Sequence, residues 1–405
     1  MPDFFQTGAI ATLHRLGRQN VGQLEREIEG FAAETPIALV LPCHVRELGS
    51  PALVRILAEL RQVRYLRRIV VGIDGAGTRA QWMQARKIFS GLPQDTVLLW
   101  NDGRRVARLL RTLEKHGLGA GAPGKGRNVW LCFGCVLAHE AARVVAVHDC
   151  DILNYSRELL ARLCYPLVHP GFGFDFCKGY YARVSDRLHG RVTRLLFTPL
   201  VRALKSIIGP HPFLVHLETF RYPLAGEVAL RLDQVRRLRI PHDWALELGI
   251  LAEIHRNCAP RAMCQAELCD NYDHKHQELS PRNPSKGLHR MARDVAAAFF
   301  QRMGGEGVKI DPGLLDTLLV AYGRHAEETL RFYGADAQIN SLHYPRHDEE
   351  LAVSTFLTAI QEAARAFIAD PLDSSLSPSW NRVRSTLPDF LSELREAVAA
   401  DSRTL

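Results

Sequence analysis

Residues 144–151 read Val-Val-Ala-Val-His-Asp-Cys-Asp, an apolar run followed by two carboxylates that are one residue apart. The apolar run is typical of a buried strand, and alternate residues of an extended chain point to the same side. Asp149 and Asp151 can therefore address one ligand, and their hard oxygens suit Mg²⁺ or Mn²⁺ bridging a diphosphate. Because Asp also begins many helices, a capping role for this pair stays open.

Upstream of this segment, further apolar runs alternate with amphipathic, helical stretches. Such an alternation predicts an α/β fold with a mostly parallel sheet covered by helices on both faces. In such sheets, ligands bind beyond the carboxyl ends of the strands. The predicted strands are 37–41, 68–73, 96–100 and 143–147, and the predicted helices are 50–66, 79–89, 104–115 and 127–140.

Polar residues follow the first two strands as well, which predicts a nucleotide-sugar crevice at this edge of the sheet. Pro42 and Glu47 lie after the first strand, and Asp74 lies after the second. A turn at Asp74 and a surface charge at Glu47 are the simpler alternatives. The loop 123–128, Pro-Gly-Lys-Gly-Arg-Asn, opens a helix and offers Lys125 to a phosphate, or is merely a surface turn.

Three regions are predicted: a helical extension over 1–35, a catalytic domain over 36–285 and a helical C-terminal region over 286–405. The net charge of +7 favours anionic partners, but the arginines are dispersed among carboxylates and no nucleic-acid-binding motif is present. Nucleic acid and membrane are therefore not expected as partners. Without a signal-peptide pattern, we expect a cytoplasmic protein whose nine cysteines stay reduced.

Over roughly residues 36–295 the chain resembles glucosyl-3-phosphoglycerate synthases, which are retaining glycosyltransferases of GT-A (Rossmann-like) fold. The resemblance implies transfer of glucose from UDP-glucose or a similar nucleotide-sugar to 3-phosphoglycerate, with Mg²⁺ or Mn²⁺ as the cofactor. It rests on several short motifs in the same order, namely Leu41-Pro42 with Glu47, Gly124-Lys125-Gly126, Asp149-Cys150-Asp151, Lys178-Gly179-Tyr180-Tyr181, residues 189–194, residues 223–227 and residues 272–276.

The resemblance also implies roles for individual residues. Asp151 and His274 would hold the metal ion, with His276 and His289 as alternative ligands. Asp149 would lie against the ribose. The remaining assignments are Glu227 and Glu247 near the reacting carbon, Pro42, Glu47, Asp74 and Lys125 on the nucleotide-sugar, and Gly190, Arg191, Thr193 and His276 on the acceptor.

Some features leave the assignment open. Arg191 and Arg194 could instead form the charged face of a helix running to Leu204. Tyr272 and His276 stand where the family carries an arginine and an asparagine that would help to hold the acceptor carboxylate. Mannose as the sugar, free glycerate as the acceptor, and a nucleotide-sugar-binding protein without turnover are the alternatives. We also expect a homodimer formed through the helices of 286–405.

Overall fold

The computed structural model of the protein describes residue 6 and residues 8–17, 20–274, 277–373 and 376–403. Within these residues, eight strands form one sheet with helices on both faces. The strands are β1 (Ala11–Leu13), β2 (Ile37–His44), β3 (Leu66–Asp74), β4 (Thr96–Trp100), β5 (Val144–Val147), β6 (Phe176–Tyr181), β7 (Val228–Arg231) and β8 (Met263–Cys269).

The described helices fall into two groups, those that cover the sheet and those that follow it. The covering helices are α1 (Val21–Ala32), α2 (Pro51–Leu60), α3 (Arg79–Phe89), α4 (Arg104–Lys115), α5 (Lys125–His139), α6 (Arg157–Val168), α7 (Thr198–Ile208), α8 (Pro212–Thr219), α9 (Leu232–Arg237) and α10 (Leu246–Asn257). The later helices are α11 (Gly287–Gly305), α12 (Pro312–Ile339), α13 (Arg346–Ala369), α14 (Trp380–Thr386) and α15 (Phe390–Arg403).

The strand order is β1-β8-β6-β7-β5-β2-β3-β4, and β7 alone among these strands runs antiparallel to its neighbours. The strands predicted from β2 to β5 are confirmed. The side chains of β2, β3 and β5 are mostly buried because helices cover both sides of the sheet, whereas those of the edge strand β4 are mostly half-buried. Since β2, β3 and β5 are parallel neighbours, their carboxyl ends lie along one edge, as the sequence predicted.

The antiparallel strand β7 brings distant sequence to this edge. Val147 at the end of β5 pairs with Val228 at the start of β7. Residues that follow β5 therefore lie beside residues that precede β7, which places Asp149 next to Gly226. A Cβ atom on Gly226 would come within 2.4 Å of a carboxylate oxygen of Asp149, so a larger residue at position 226 would displace this carboxylate.

The N-terminal region differs from its prediction in one respect. Helix α1 is present as expected, but residues 11–13 form β1, an edge strand parallel to β8. A period-two pattern cannot be recognised in three residues, so this strand was not predicted. The N-terminal region thus extends the sheet in addition to covering it.

The C-terminal helices share the main hydrophobic core with the sheet-covering helices, so the core continues across residue 286. The rings of Trp130 in α5 and Trp380 in α14 are stacked with their centroids 4.2 Å apart. The Trp130 indole N–H donates to the Pro378 carbonyl oxygen at 2.8 Å. Helix α15 packs on α4 and α5, while α12 packs on α7.

One described helix, α13, has the length and apolar composition of a membrane-spanning helix. It packs against α11, and its first turn carries Asp348 and Glu349. The nine cysteines are free thiols, as predicted, and all but Cys269 are buried.

Candidate functional site

The centre of the candidate site is an ammonium group held between two carboxylates. Lys125 is the first residue of α5, and its Nζ lies 2.8 Å from Asp149 Oδ1 and 2.8 Å from Glu247 Oε1. Burial acts to lower the pKa of Lys125, but the two carboxylates outweigh burial and raise this pKa well above its ordinary value. Burial acts to raise the pKa of Asp149, but the charge of Lys125 outweighs burial, so the pKa of Asp149 is lowered.

Asp151 shares this pocket without a comparable cation. Burial first, and the charge of Asp149 second, raise the pKa of Asp151 to about 7. The segment carrying His274 runs back along the end of β5, where Ile152 pairs with His274 and the Leu153 N–H donates to the Asp273 carbonyl oxygen at 2.8 Å. This pairing brings His274 Nδ1 to 4.0 Å from Asp151 Oδ2.

Asp151 and His274 fit a divalent cation. The negative charge at this edge suits a cation, because Lys125 balances the carboxylates only in part. A bound cation would also lower the cost of ionising Asp151. Among the described residues, no group of three or more His, Cys, Asp or Glu side chains could hold a metal ion. Two protein ligands are nevertheless sufficient where diphosphate oxygens and water complete the shell, as is usual for Mg²⁺.

Glu227 is fully buried, and both of its carboxylate oxygens accept hydrogen bonds from phenols. The hydroxyls of Tyr181 and Tyr272 each donate to it at 2.6 Å. The two phenol rings are stacked with centroids 3.8 Å apart. Both oxygens of Glu227 are therefore occupied by phenols, and its place near the reacting carbon, which the resemblance implies, stays a prediction. The phenol pair was not predicted as part of the site.

A cavity of about 520 Å³ lies between this edge and α11. Most of the predicted site residues border it, and the structure brings them together from segments far apart in sequence. These residues are Lys125, Asp149, Asp151, Gly190, Arg191, Thr193, Glu247 and His274.

Three predicted nucleotide-sugar residues, Pro42, Glu47 and Asp74, lie at the same sheet edge without bordering this cavity. The β2–β3 register pairs His44 with Asp74, so both strand ends lie level with each other. Burial, followed by the charge of Asp102, raises the pKa of Asp74. The ends of β2 and β3 therefore lie along the same sheet edge as Asp149, next to the cavity. His276, predicted to contact the acceptor, lies outside the described residues.

At the other end of the cavity, two arginines share one carboxylate from the C-terminal helices. Arg191 Nε donates to Glu349 Oε1 at 2.7 Å, and Arg194 Nη2 lies 2.8 Å from Glu349 Oε2. Glu349 is in the first turn of α13, and only 3% of its side chain is exposed. Asp348 is a second, more exposed partner, with its Oδ2 4.0 Å from Arg191 Nη2, so the two guanidinium groups have one close carboxylate and one more distant one.

The helix suggested as an alternative for residues 191–204 is present, while phosphate binding by Gly190, Arg191 and Thr193 stays a prediction. The chain is helical from Arg191, with a π-helical segment over Val192–Phe197 that continues into α7, yet Arg191 also borders the cavity. Gly190 has a φ of +75°, a conformation that favours glycine. Sequence reasoning missed Glu349, because a glutamate in the first turn of a helix is ordinary there.

The order of the strands and the single antiparallel strand β7 define the class of the fold, a GT-A-like α/β fold. Solved structures of glucosyl-3-phosphoglycerate synthase from Mycobacterium tuberculosis share it. The complex with phosphoglyceric acid has a TM-score of 0.54 at 22% identity, over 73% of this chain and 88% of that chain. The complex with Mn²⁺, UDP and glucosyl-3-phosphoglycerate has a TM-score of 0.52 at 22% identity, with the same coverage of 73% and 88%.

Sequence comparison identifies the family. No protein-family model matches the chain. The glucosyl-3-phosphoglycerate synthase of Persephonella marina is 42% identical over 402 residues, which span 99% of both proteins. The protein of the same name from Methanococcoides burtonii is 37% identical over 405 residues, which span 98% of both. The chain belongs to the glucosyl-3-phosphoglycerate synthase family.

Proposed function

We propose that this protein transfers glucose from UDP-glucose to 3-phosphoglycerate with retention of configuration, giving glucosyl-3-phosphoglycerate. The observation that carries the proposal is full-length similarity to two proteins of that name. The cavity supports it, because one end carries carboxylates suited to a metal-bound diphosphate and the other carries guanidinium groups suited to an anionic acceptor. The M. tuberculosis enzyme has been solved with Mn²⁺, UDP-glucose and phosphoglyceric acid together.

On the donor side, Asp151 and His274 would hold Mg²⁺ or Mn²⁺. Such an ion supplies positive charge that stabilises the departing diphosphate. Asp149 would contact the ribose, and the Lys125 ammonium would lie near the phosphates. Pro42, Glu47 and Asp74 would bind the nucleotide in the adjoining crevice.

The two glutamates are assigned different roles by their surroundings. Glu247 borders the cavity and accepts from Lys125 at 2.8 Å, so it can face the reacting sugar and stabilise positive charge that develops there. Glu227 acts as a positioning residue, because both of its oxygens are already bound by the phenols of Tyr181 and Tyr272. Because Glu247 is paired with Lys125 and Glu227 with the two phenols, the acceptor hydroxyl would attack from the side of the departing diphosphate, whose oxygen would take the proton.

On the acceptor side, Gly190, Arg191 and Thr193 would bind the phosphate of 3-phosphoglycerate. A guanidinium group suits this task because its planar fork matches an oxyanion, and a glycine with positive φ opens the backbone to it. His276 is retained as a proposed acceptor contact.

The proposal also includes the cellular location, the pathway and the oligomeric state. The enzyme would act in the cytoplasm, in a pathway leading to glucosylglycerate as a compatible solute. It would form a homodimer through the C-terminal helices, where Val320, Phe332 and Ile339 of α12 are exposed. Light scattering of the purified protein would test this, and a monomeric mass would contradict it.

The function is tested with purified protein and a panel of nucleotide-sugars and acceptors, scored by release of the nucleoside diphosphate and by the mass of the product. We expect the highest kcat/KM with UDP-glucose and 3-phosphoglycerate, in the presence of Mg²⁺ or Mn²⁺. A preference for GDP-mannose or for free glycerate would show a related transferase instead. Binding of a nucleotide-sugar without turnover of any acceptor would show a binding protein.

A further inference from the structure

Arg183 is a cavity residue that none of the assignments above uses. It lies two residues after the end of β6 and borders the cavity. Its Nη1 donates to the Tyr222 hydroxyl at 3.1 Å. Its Nε atom is buried and has no hydrogen-bond partner in the described part of the chain.

The neighbouring arginines differ from Arg183 in having carboxylate partners. Arg187 pairs with Asp186 at 2.9 Å, and Arg191 pairs with Glu349 at 2.7 Å. Within the described residues no carboxylate lies within ion-pairing distance of Arg183, whose partner is a neutral phenol. A half-buried guanidinium without a counter-ion carries a desolvation cost that a bound anion would offset.

The surroundings of Arg183 define where that anion would lie. A Cβ atom on Gly190 would be 2.9 Å from the Tyr222 hydroxyl, so this phenol lies beside both Arg183 and Gly190. Its oxygen accepts from Arg183, which leaves its own hydrogen available to donate to an anion. Tyr272 cannot supply this contact, because its hydroxyl already donates to the buried Glu227.

We propose that Arg183, assisted by the Tyr222 hydroxyl, binds the carboxylate of the acceptor while Gly190, Arg191 and Thr193 bind its phosphate. The inference rests on the proposed function. 3-Phosphoglycerate carries its two anionic groups at opposite ends of a three-carbon chain, so a site for it needs two separate cationic contacts. Arg183 is then the residue that distinguishes a phosphorylated acid from a phosphorylated alcohol.

The test compares two acceptors that share a phosphate and differ in the carboxylate, 3-phosphoglycerate and glycerol 3-phosphate. Arg183→Gln should lower kcat/KM for 3-phosphoglycerate by about 10- to 150-fold, since bonds to charged groups contribute about 1.5–3 kcal/mol. The same variant should change kcat/KM for glycerol 3-phosphate by less than about twofold. Arg183→Lys should restore part of the loss, because it keeps the charge without the planar fork.

Arg324→Gln is the control, because it removes the same charge at an exposed side chain of α12 that pairs with Glu328 and does not border the cavity. It should change both acceptors' kcat/KM by less than about twofold, as exposed pairs contribute little. An unchanged KM for UDP-glucose and an unchanged Tm show that each variant is folded. Calorimetric titration of both acceptors in the absence of turnover gives an independent measurement of binding.

The outcomes separate this inference from the function on which it rests. Equal losses for both acceptors, or no loss for either, would overturn the assignment of Arg183 while the wild-type enzyme still forms glucosyl-3-phosphoglycerate. If the wild-type protein neither turns over nor binds 3-phosphoglycerate, the proposed function and this inference both fail. If Arg183→Gln weakens binding of 3-phosphoglycerate alone, the inference is supported.

Discussion

The two ends of the cavity carry opposite electrostatic imbalances. At the sheet edge, Lys125 is shared by Asp149 and Glu247, and Asp151 is left with a pKa raised to about 7. At the far end cations are in excess among the described residues, because Arg183 has no carboxylate partner there. Arg191 and Arg194 share Glu349, and Arg191 also lies 4.0 Å from the exposed Asp348. The negative end is suited to a metal ion and the positive end to an anion. This difference favours a metal-bound donor at the sheet edge and an anionic acceptor at the far end.

The largest loss of activity is expected when the metal site at the negative end is removed. Asp151→Asn, or chelation of the metal by EDTA, should lower kcat by about a thousandfold or more, since a metal ion contributes several kcal/mol of charge stabilisation to the transition state. Nucleoside diphosphate release measures it. Asp316→Asn, which removes an exposed carboxylate of α12, is the control and should retain activity. Full turnover in EDTA would contradict the metal site.

Removing the shared cation at the same end should affect folding. Lys125→Met leaves Asp149 and Glu247 without their buried partner, which should lower the free energy of unfolding by about 3 kcal/mol. Urea denaturation measures it, and Lys115→Met at the exposed end of α4 should stay within about 0.5 kcal/mol of wild type. If Lys125→Met/Asp149→Asn is no more stable than Lys125→Met, the ion pair is not the cause.

The positive end is broken by Arg191→Ala. This variant should lower kcat/KM for 3-phosphoglycerate by about 10- to 150-fold, mostly through the acceptor KM, because a charge-assisted contact contributes about 1.5–3 kcal/mol. The KM for UDP-glucose should stay nearly unchanged, and Arg191→Lys should recover part of the loss. Steady-state kinetics with each substrate varied measures both values. An equal loss with free glycerate would show that the loop does not bind the phosphate.

The smallest effect is expected from a substitution of Glu349, the carboxylate that pairs with both Arg191 and Arg194. Glu349→Gln should raise the acceptor KM by about fivefold, close to 1 kcal/mol, because Arg191 loses a charge-assisted contact that fixes its position. The neighbouring Glu350→Gln, whose partner is the exposed Arg346, should leave that KM unchanged. A lower acceptor KM in Glu349→Gln would mean that Glu349 competes with the acceptor instead of positioning Arg191.

The two ends also differ in how far the sequence predicted them. Asp149 and Asp151 follow a buried strand directly, so strand periodicity was enough to place both at the sheet edge. The predicted position of Lys125 at the start of a helix is confirmed, and the structure adds its contact with Asp149, while phosphate binding by Lys125 stays a prediction. Its second partner, Glu247, is more than a hundred residues away and could not be inferred from local pattern.

The sequence by itself determined the α/β fold, the strands from β2 to β5 and the acidic pair at their edge, because these depend on patterns within single segments. Tertiary structure alone decided which carboxylate each cation meets. Glu227 meets Tyr181 because Glu227 directly precedes β7, which runs antiparallel beside β6. Glu349 reaches Arg191 because α13 packs onto the helical segment that begins at Arg191. Side-chain pairing across such distances depends on how helices and strands pack, and no periodicity along the chain records it.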